Sequence, residues 1–356
     1  MSAIGLAMAA FGAALVLTAM VRVYAVRREL LDTPNARSSH TVPTPRGGGV
    51  SIVLVYLVAT AFAALAGWID AAAALGLGGG ALGVTAVGFW DDHGHVSRRL
   101  RFAVHLGAAV WALAWLGGLP PLPLGSGSVD LGLAGDALAA VAIVWLLNLY
   151  NFMDGIDGIA ATEAITVAAG GALILLLGGT PGAAGWLFWL AASAAGFLVW
   201  NWPPARIFMG DAGSGFLGFA FGALAVATSH GGAINLWSWA ILLAAFIGDA
   251  TWTLLRRLAR RDTWYEAHRS HAYQIAARRW GSHLKVTLLV GAFNLLWLLP
   301  LALLAANRPG WGWALALLAY LPVVAAGVGL GAGLPDDQVS RPVAGSGGGQ
   351  RSARRS

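Results

Sequence analysis

Apolar runs of roughly 18 to 22 residues follow one another along the chain, each long enough to cross a hydrocarbon core of about 30 Å as a helix. The breaks between them are rich in Gly, Pro, Asn and Asp, which favour turns. The strict alternation of polarity that a membrane-spanning strand needs is absent. The pattern predicts about eleven helices, centred near Ala13, Tyr56, Leu82, Trp111, Val144, Ala168, Phe188, Phe221, Leu242, Leu295 and Leu318.

Charge sorts the breaks into two sets. Arg27, Arg28, Arg37 and Arg46 follow the first run, Arg98, Arg99 and Arg101 the third, and Arg256, Arg257, Arg260, Arg261, Arg269, Arg278 and Arg279 the ninth. The loops around Trp68, Gly125, Thr180, Gly231 and Arg308 are nearly free of basic residues. The positive-inside rule puts the basic set in the cytoplasm, the N-terminus in the periplasm and the C-terminus inside. The first run, Ala3 to Tyr24, has no basic segment ahead of it and reads as a retained anchor. The expectation is an all-α polytopic membrane protein. Its transmembrane catalytic domain spans 1–333, and a low-complexity cytoplasmic tail spans 334–356.

Composition agrees. With 58% hydrophobic and 11% charged residues in 356, and a mean hydropathy of +0.70, the chain has too little polar surface to coat a water-soluble globule. The absence of cysteine excludes disulfides, thiolate metal sites and a thiol nucleophile. The net charge of +6 resides in short clusters between apolar runs, which suits anionic lipid and gives no nucleic-acid footprint.

Acidic residues then change the picture. Asp91, Asp92, Asp154, Asp157, Asp211 and Asp249 fall where runs reach the basic face, although carboxylates are costly near hydrocarbon. Helix capping or arginine pairing accounts for any one of them. Asn148, Asn151, Asp154 and Asp157 recur at intervals of three, which puts neighbours on one helical stripe leading into Gly155 and Gly158. Such an oxygen-rich set suits a hard cation such as Mg²⁺, with Mn²⁺ as an alternative. Further on, Pro203 and Pro204 end a helix and Asp211 stands just ahead of the next, where it is placed either to cap it or to meet a ligand. Gly210, Gly213 and Gly215 leave room for an anionic group at that helix start.

Five segments resemble the polyprenyl-phosphate N-acetylhexosamine-1-phosphate transferases, the family of MraY- and WecA-like membrane enzymes. They are Asp32-Thr-Pro-Asn-Ala-Arg with Pro43-Thr-Pro-Arg-Gly-Gly-Gly, Gly88-Phe-Trp-Asp-Asp, Asn148-Leu-Tyr-Asn-Phe-Met-Asp-Gly-Ile-Asp-Gly, Phe208-Met-Gly-Asp-Ala-Gly-Ser, and His268-Arg-Ser-His. The resemblance implies transfer of a HexNAc 1-phosphate from a UDP-sugar to polyprenyl phosphate, with release of UMP and a Mg²⁺ requirement. It implies a bacterial inner-membrane location with the site on the cytoplasmic face. By motif it assigns Asp211 and Asn151 to the metal, and Asp91, Asp92, Asp154, His268, Arg269 and His271 to catalysis and the pyrophosphate. Thr44, Asn148, Asp157, Asn201 and Phe208 fall to substrate binding, with Phe208 a face for the base. Partners would be the lipid phosphate, the UDP-HexNAc and anionic lipids, and a homodimer is an admissible assembly.

The sequence also departs from the family. The lysine of MraY that follows the aspartate pair is replaced by His93-Gly-His95 with Arg98 and Arg99, and its contiguous histidine triplet by His268-Arg-Ser-His. This pattern resembles the WbpL-like branch, which starts O-antigen or related surface polysaccharides with GlcNAc, FucNAc or QuiNAc donors. His40, His93 and His95 lack metal-ligand spacing, and the 17 Trp suit interfacial anchoring. Asp249 is left outside the catalytic set. The rival from another class is a transporter of a phosphorylated or anionic solute, which calls for polar groups near the bilayer midplane.

Overall fold

The structure is a computed structural model that describes residues 3–34, 42–94, 96–262 and 268–335. Arg37, His40, His95 and all but the first two residues of the expected tail lie outside the described residues.

Seven helices lead to the middle of the chain: α1 (Ala3–Arg27), α2 (Val50–Leu65), α3 (Ala71–His93), α4 (Arg98–Leu116), α5 (Gly132–Met153), α6 (Ile159–Leu177) and α7 (Pro181–Asn201). Seven more follow: α8 (Asp211–Ser229), α9 (Leu236–Leu242), α10 (Ala244–Ala259), α11 (Ala272–Trp280), α12 (His283–Phe293), α13 (Leu299–Asn307) and α14 (Gly312–Leu330). A π-helical turn, Asn294–Leu298, joins α12 to α13, and a 3₁₀ turn, Pro309–Trp311, leads into α14. Two short antiparallel hairpins complete the chain, β1 (Leu31–Asp32) with β2 (Thr44–Pro45) and β3 (Leu122–Leu124) with β4 (Gly127–Val129).

Every expected helix centre falls on helix, but the count of spans differs from eleven. Among the described residues eight helical stretches are long and apolar enough to cross a membrane, or nine if α9 and α10, bent by 74°, form one broken span. The shortfall has two local causes. α2 has only 16 residues, and α4 opens on Arg98, Arg99 and Arg101, which lower its apolarity.

Hydrogen bonds gather the connections into two ends. At one, Gly125 N donates to Gly310 O (3.1 Å) and Trp237 Nε1 to Pro123 O (2.8 Å). At the other, Gly48 N donates to Phe208 O and Gly333 N to Ser270 O, both 2.9 Å. Helix α8 runs through the centre with nearly every residue buried, packed against α3 and α5. The α5 contact depends on Gly218: a Cβ there would stand 2.4 Å from Leu146 O. Small residues of this kind bring helix backbones together where lipid gives no hydrophobic drive for association.

Candidate active site

The C-terminal end of α3 and the N-terminal end of α8 meet at the second of these ends. Asp92, 5% exposed, accepts from Asp211 N (3.1 Å) and Ala212 N (3.3 Å), so the first amides of α8 are capped by a carboxylate from another helix. Gly210 makes room for it. Its φ of +78° favours glycine, and a Cβ there would lie 2.7 Å from Asp92 Oδ2. Arg46, just past β2, donates to Asp92 O at 2.5 Å.

Asp91 takes the other side. Its Oδ2 accepts from Arg101 Nη1 (2.6 Å) and its Oδ1 from Val96 N (3.0 Å). Arg101 Nη1 also lies 3.7 Å from Asp211 Oδ2, so one guanidinium bridges the carboxylates of α3 and α8. The Asp211 side chain is 33% exposed and that of Asp91 16%. Arg46, Asp91, Asp92, His93, Arg98, Arg101 and Asp211 line a cavity of about 600 Å³, in which His93 Nδ1 is turned back to Phe89 O.

The end of α5 supplies the oxygen-rich stripe, but only part of it is helical. Asn148 donates to Val144 O (2.7 Å) within the helix, and Asn151 Oδ1 accepts from Ser214 Oγ (3.4 Å), one turn into α8 from Asp211. The helix ends at Met153, with Asp154 as its C-cap, and Gly158 turns the chain with φ +76°. Burial first, then the charges of Asp211, Asp92 and Asp157, push the Asp154 carboxyl well above the usual carboxylate range.

Asp157 therefore leaves the stripe that periodicity predicts. Its Oδ2 accepts from Ala205 N (3.1 Å) and lies 3.3 Å from His283 Nδ1, while Thr287 Oγ1 donates to its carbonyl (2.9 Å). With Pro203, Pro204, Arg278, Ser282 and His283 it lines a second cavity of about 520 Å³. Asn201, 2% exposed, is committed on both sides: its Oδ1 accepts from Gly158 N and its Nδ2 donates to Ile207 O, both 2.9 Å. It braces the loop, and its side chain has no free face for a ligand. Thr44 is likewise buried at 8% and donates to Val42 O (3.0 Å). Phe208 is half-buried, and its backbone is tied to Pro45 O (2.8 Å) and Gly48 N (2.9 Å), which joins the first motif to the fourth.

The fifth motif leans on the end of α5. Tyr273 Oη donates to Phe152 O (2.8 Å), and the His271 and Phe152 rings stack at 6.2 Å. His268 is half-buried, and burial, followed by the charges of His271 and Arg257, pushes its imidazole down to about 3. Arg269 is half-buried and its carbonyl accepts from Arg278 Nη1 (2.7 Å). His271 is 2% exposed and faces inward.

Sequence reasoning passed over Arg101 and His283 as site residues. Arg101 carried a signal, because Arg98 and Arg101, three apart on a helix just after an acidic pair, share one face. His283 stands 126 positions from Asp157, so only the fold joins them.

Among the described residues no three His, Asp or Glu side chains are placed together to hold a metal. Asp211 and Asn151, the latter bonded to Ser214 one turn along α8 from Asp211, are oxygen donors beside an acidic cluster, and donors of this kind fit Mg²⁺, which binds through one or two protein oxygens plus substrate phosphates.

Comparison with known proteins bears on the same region. The profile of glycosyl transferase family 4 matches residues 74–229, which include most of α3 and all of α5 and α8. A probable undecaprenyl-phosphate N-acetylglucosaminyl 1-phosphate transferase of Bacillus subtilis is 29% identical over 266 residues, 73% of each chain. An undecaprenyl-phosphate alpha-N-acetylglucosaminyl 1-phosphate transferase of Thermotoga maritima is 27% identical over 290 residues, 79% of this chain and 85% of that one. A phospho-N-acetylmuramoyl-pentapeptide-transferase of Moorella thermoacetica is 40% identical over 123 residues, 34% of this chain and 39% of that one.

Proposed function

We propose that this chain, which belongs to glycosyl transferase family 4 and is an enzyme of the polyprenyl-phosphate sugar-phosphate transferase type, moves a HexNAc 1-phosphate from a UDP-sugar to polyprenyl phosphate. An oxygen of the lipid phosphate attacks the β-phosphorus. The bond from that phosphorus to the bridging oxygen breaks, and UMP leaves with the oxygen and its electron pair.

The observation that carries this reading is the Arg101 bridge between Asp91 and Asp211 in the wall of the 600 Å³ cavity, with Arg46 beside it. Phosphoryl transfer asks for charge compensation and in-line positioning more than for covalent chemistry, and cations held by carboxylates supply both. A phosphate monoester carries close to two charges near neutrality, so a strong general base is not required. Asp91, through Arg101, is the residue we assign to the acceptor phosphate. Asp92 is committed to the α8 amides, which sets the position of Asp211.

Asp211 and Asn151 would hold Mg²⁺, which supplies charge neutralisation at the diphosphate when bound. His268 and Arg269 reach the donor diphosphate, and Asp154 places a further carboxyl group beside the metal ligands. Asn148, one turn before Asn151 on the same face of α5, is the further substrate-binding residue of this stripe. Asp157 and Phe208 flank the nucleotide, with Asn201 and Thr44 bracing the loops around it.

The basic end of the bundle faces the cytoplasm of a bacterial inner membrane, because Arg308 is the one Lys or Arg at the opposite end among the described residues. Anionic headgroups suit the arginines of α10. The histidine spacing of the fifth motif supports a GlcNAc, FucNAc or QuiNAc donor and a place at the start of O-antigen or related surface polysaccharide synthesis.

Purified protein supplied with undecaprenyl phosphate, Mg²⁺ and a panel of UDP-HexNAc donors should release UMP with at least one of them. Silence with every donor would overturn the reading.

A further inference from the structure

Asp249 in α10 is a buried carboxylate that the proposed chemistry does not use. It is 5% exposed. Its two oxygens accept from Ala272 N and Tyr273 N, both at 2.9 Å, and Thr253 Oγ1 donates to Oδ1 at 3.1 Å. The same Oδ1 lies 3.6 Å from His271 Nδ1. A charge this deep persists only where such partners compensate it.

His271 in turn is enclosed. Its ring stacks with those of His268 (4.9 Å, 29° between planes) and Tyr273 (5.9 Å, 28°). At 2% exposure it has no surface to offer a substrate, whereas its neighbours His268 and Arg269 are half-buried. The rest of the loop is pinned around it. Ser270 Oγ meets His268 Nδ1 at 3.0 Å, and Gly333 N holds Ser270 O at 2.9 Å. Nδ1 of His271 is buried with no hydrogen-bond partner and faces the Asp249 carboxylate just beyond hydrogen-bond range, so the contact is electrostatic and favours a proton on that nitrogen and one orientation of the ring.

We infer that Asp249 is a positioning residue: by orienting His271 it fixes the platform on which His268 stacks, and so aims His268 and Arg269 at the donor diphosphate. The inference rests on the assignment of that diphosphate to this loop.

The test uses full-length protein in detergent with Asp249→Asn, which keeps an acceptor oxygen for the α11 amides, and His271→Phe, which keeps the stacked ring. For each, UMP release gives kcat per folded protein and KM for the UDP-sugar, and thermal melting reports folding. Each single variant should lose kcat by about 10- to 100-fold with KM within about threefold, and the double variant should be no worse than the poorer single. Unchanged kcat in either folded variant, or losses that multiply in the double, would overturn the inference. Should Asp249→Asn not fold, His271→Phe decides alone by the same loss or its absence. A second arm needs no activity. In ¹⁵N-histidine-labelled protein, the signal that disappears in His271→Phe should be protonated at Nδ1, and its absence at Nδ1 in the parent protein overturns the inference even where no donor releases UMP.

Discussion

Asp91 and Asp92 are adjacent in sequence and were equivalent by motif, yet burial and partners give them different work. Asp92 caps α8, and removing a side-chain cap costs about 0.5–2 kcal/mol. Asp92→Ala should therefore lower the unfolding free energy by about that amount, while Asp91→Ala leaves stability close to the parent and lowers kcat. Equal melting for the two variants would show that the cap is not holding the helix. Arg101 gives a second prediction. Arg101→Lys should recover only part of the activity lost in Arg101→Ala, because a point charge on a flexible stem does not reproduce a planar group that spans two carboxylates. Full recovery by lysine would mean that only net charge matters there. At Asp211, asparagine keeps the shape and removes the charge, and kcat should fall by about 100-fold or more if this carboxylate meets the metal and diphosphate, with UMP release as the readout.

The helices show where sequence periodicity reaches its limit. Each of the eleven centres read from apolar length falls on helix, because burial in lipid leaves the backbone little choice, but α10 and the short amphipathic α11 had no centre of their own. It could not show that the run at Leu242 breaks at Leu243 with a 74° bend, since the two halves pass together as one apolar run and no Gly, Pro or Asn marks the break. The spacing of three carried Asn148 and Asn151 correctly onto one face. It failed for Asp157, because the helix stops at Met153 and the chain turns at Gly158 before the stripe is complete. The cap on α8 was not legible either: a carboxylate at Asp211 suggested a local N-cap, whereas the acceptor arrives from α3, 119 residues away. Close packing of α5 on α8 gives a prediction at this scale. Gly218→Ala should lower the melting temperature and the yield of folded protein, because its Cβ would stand 2.4 Å from a main-chain oxygen. Gly107→Ala, in α4 with nothing within 4 Å, serves as the control and should melt at or above the parent. A similar loss in both would remove the packing explanation.

At the scale of the whole molecule, chemistry and charge share one end of the bundle. The ends of α3, α5, α7 and α10 and the starts of α4, α8 and α12 carry the acidic cluster and both polar cavities, and together with the end of α1, with α11 and with the connections between them they hold every described Lys and Arg but Arg308. A transporter would need polar groups near the midplane, and the proposed site lies at helix termini instead. A soluble nucleotide and a membrane-bound lipid phosphate can meet only at such a surface. The absence of cysteine makes the arrangement directly testable, since any introduced thiol is the sole target for a maleimide. Ser126→Cys, exposed in the β3–β4 loop, and Arg99→Cys, exposed at the start of α4, report opposite ends. With a reagent that does not cross the inner membrane, Ser126→Cys should label in spheroplasts and Arg99→Cys only after lysis. Labelling of both from outside would break the two-ended architecture. Labelling of Arg99→Cys alone would invert the protein and remove the site from the compartment that holds UDP-sugars.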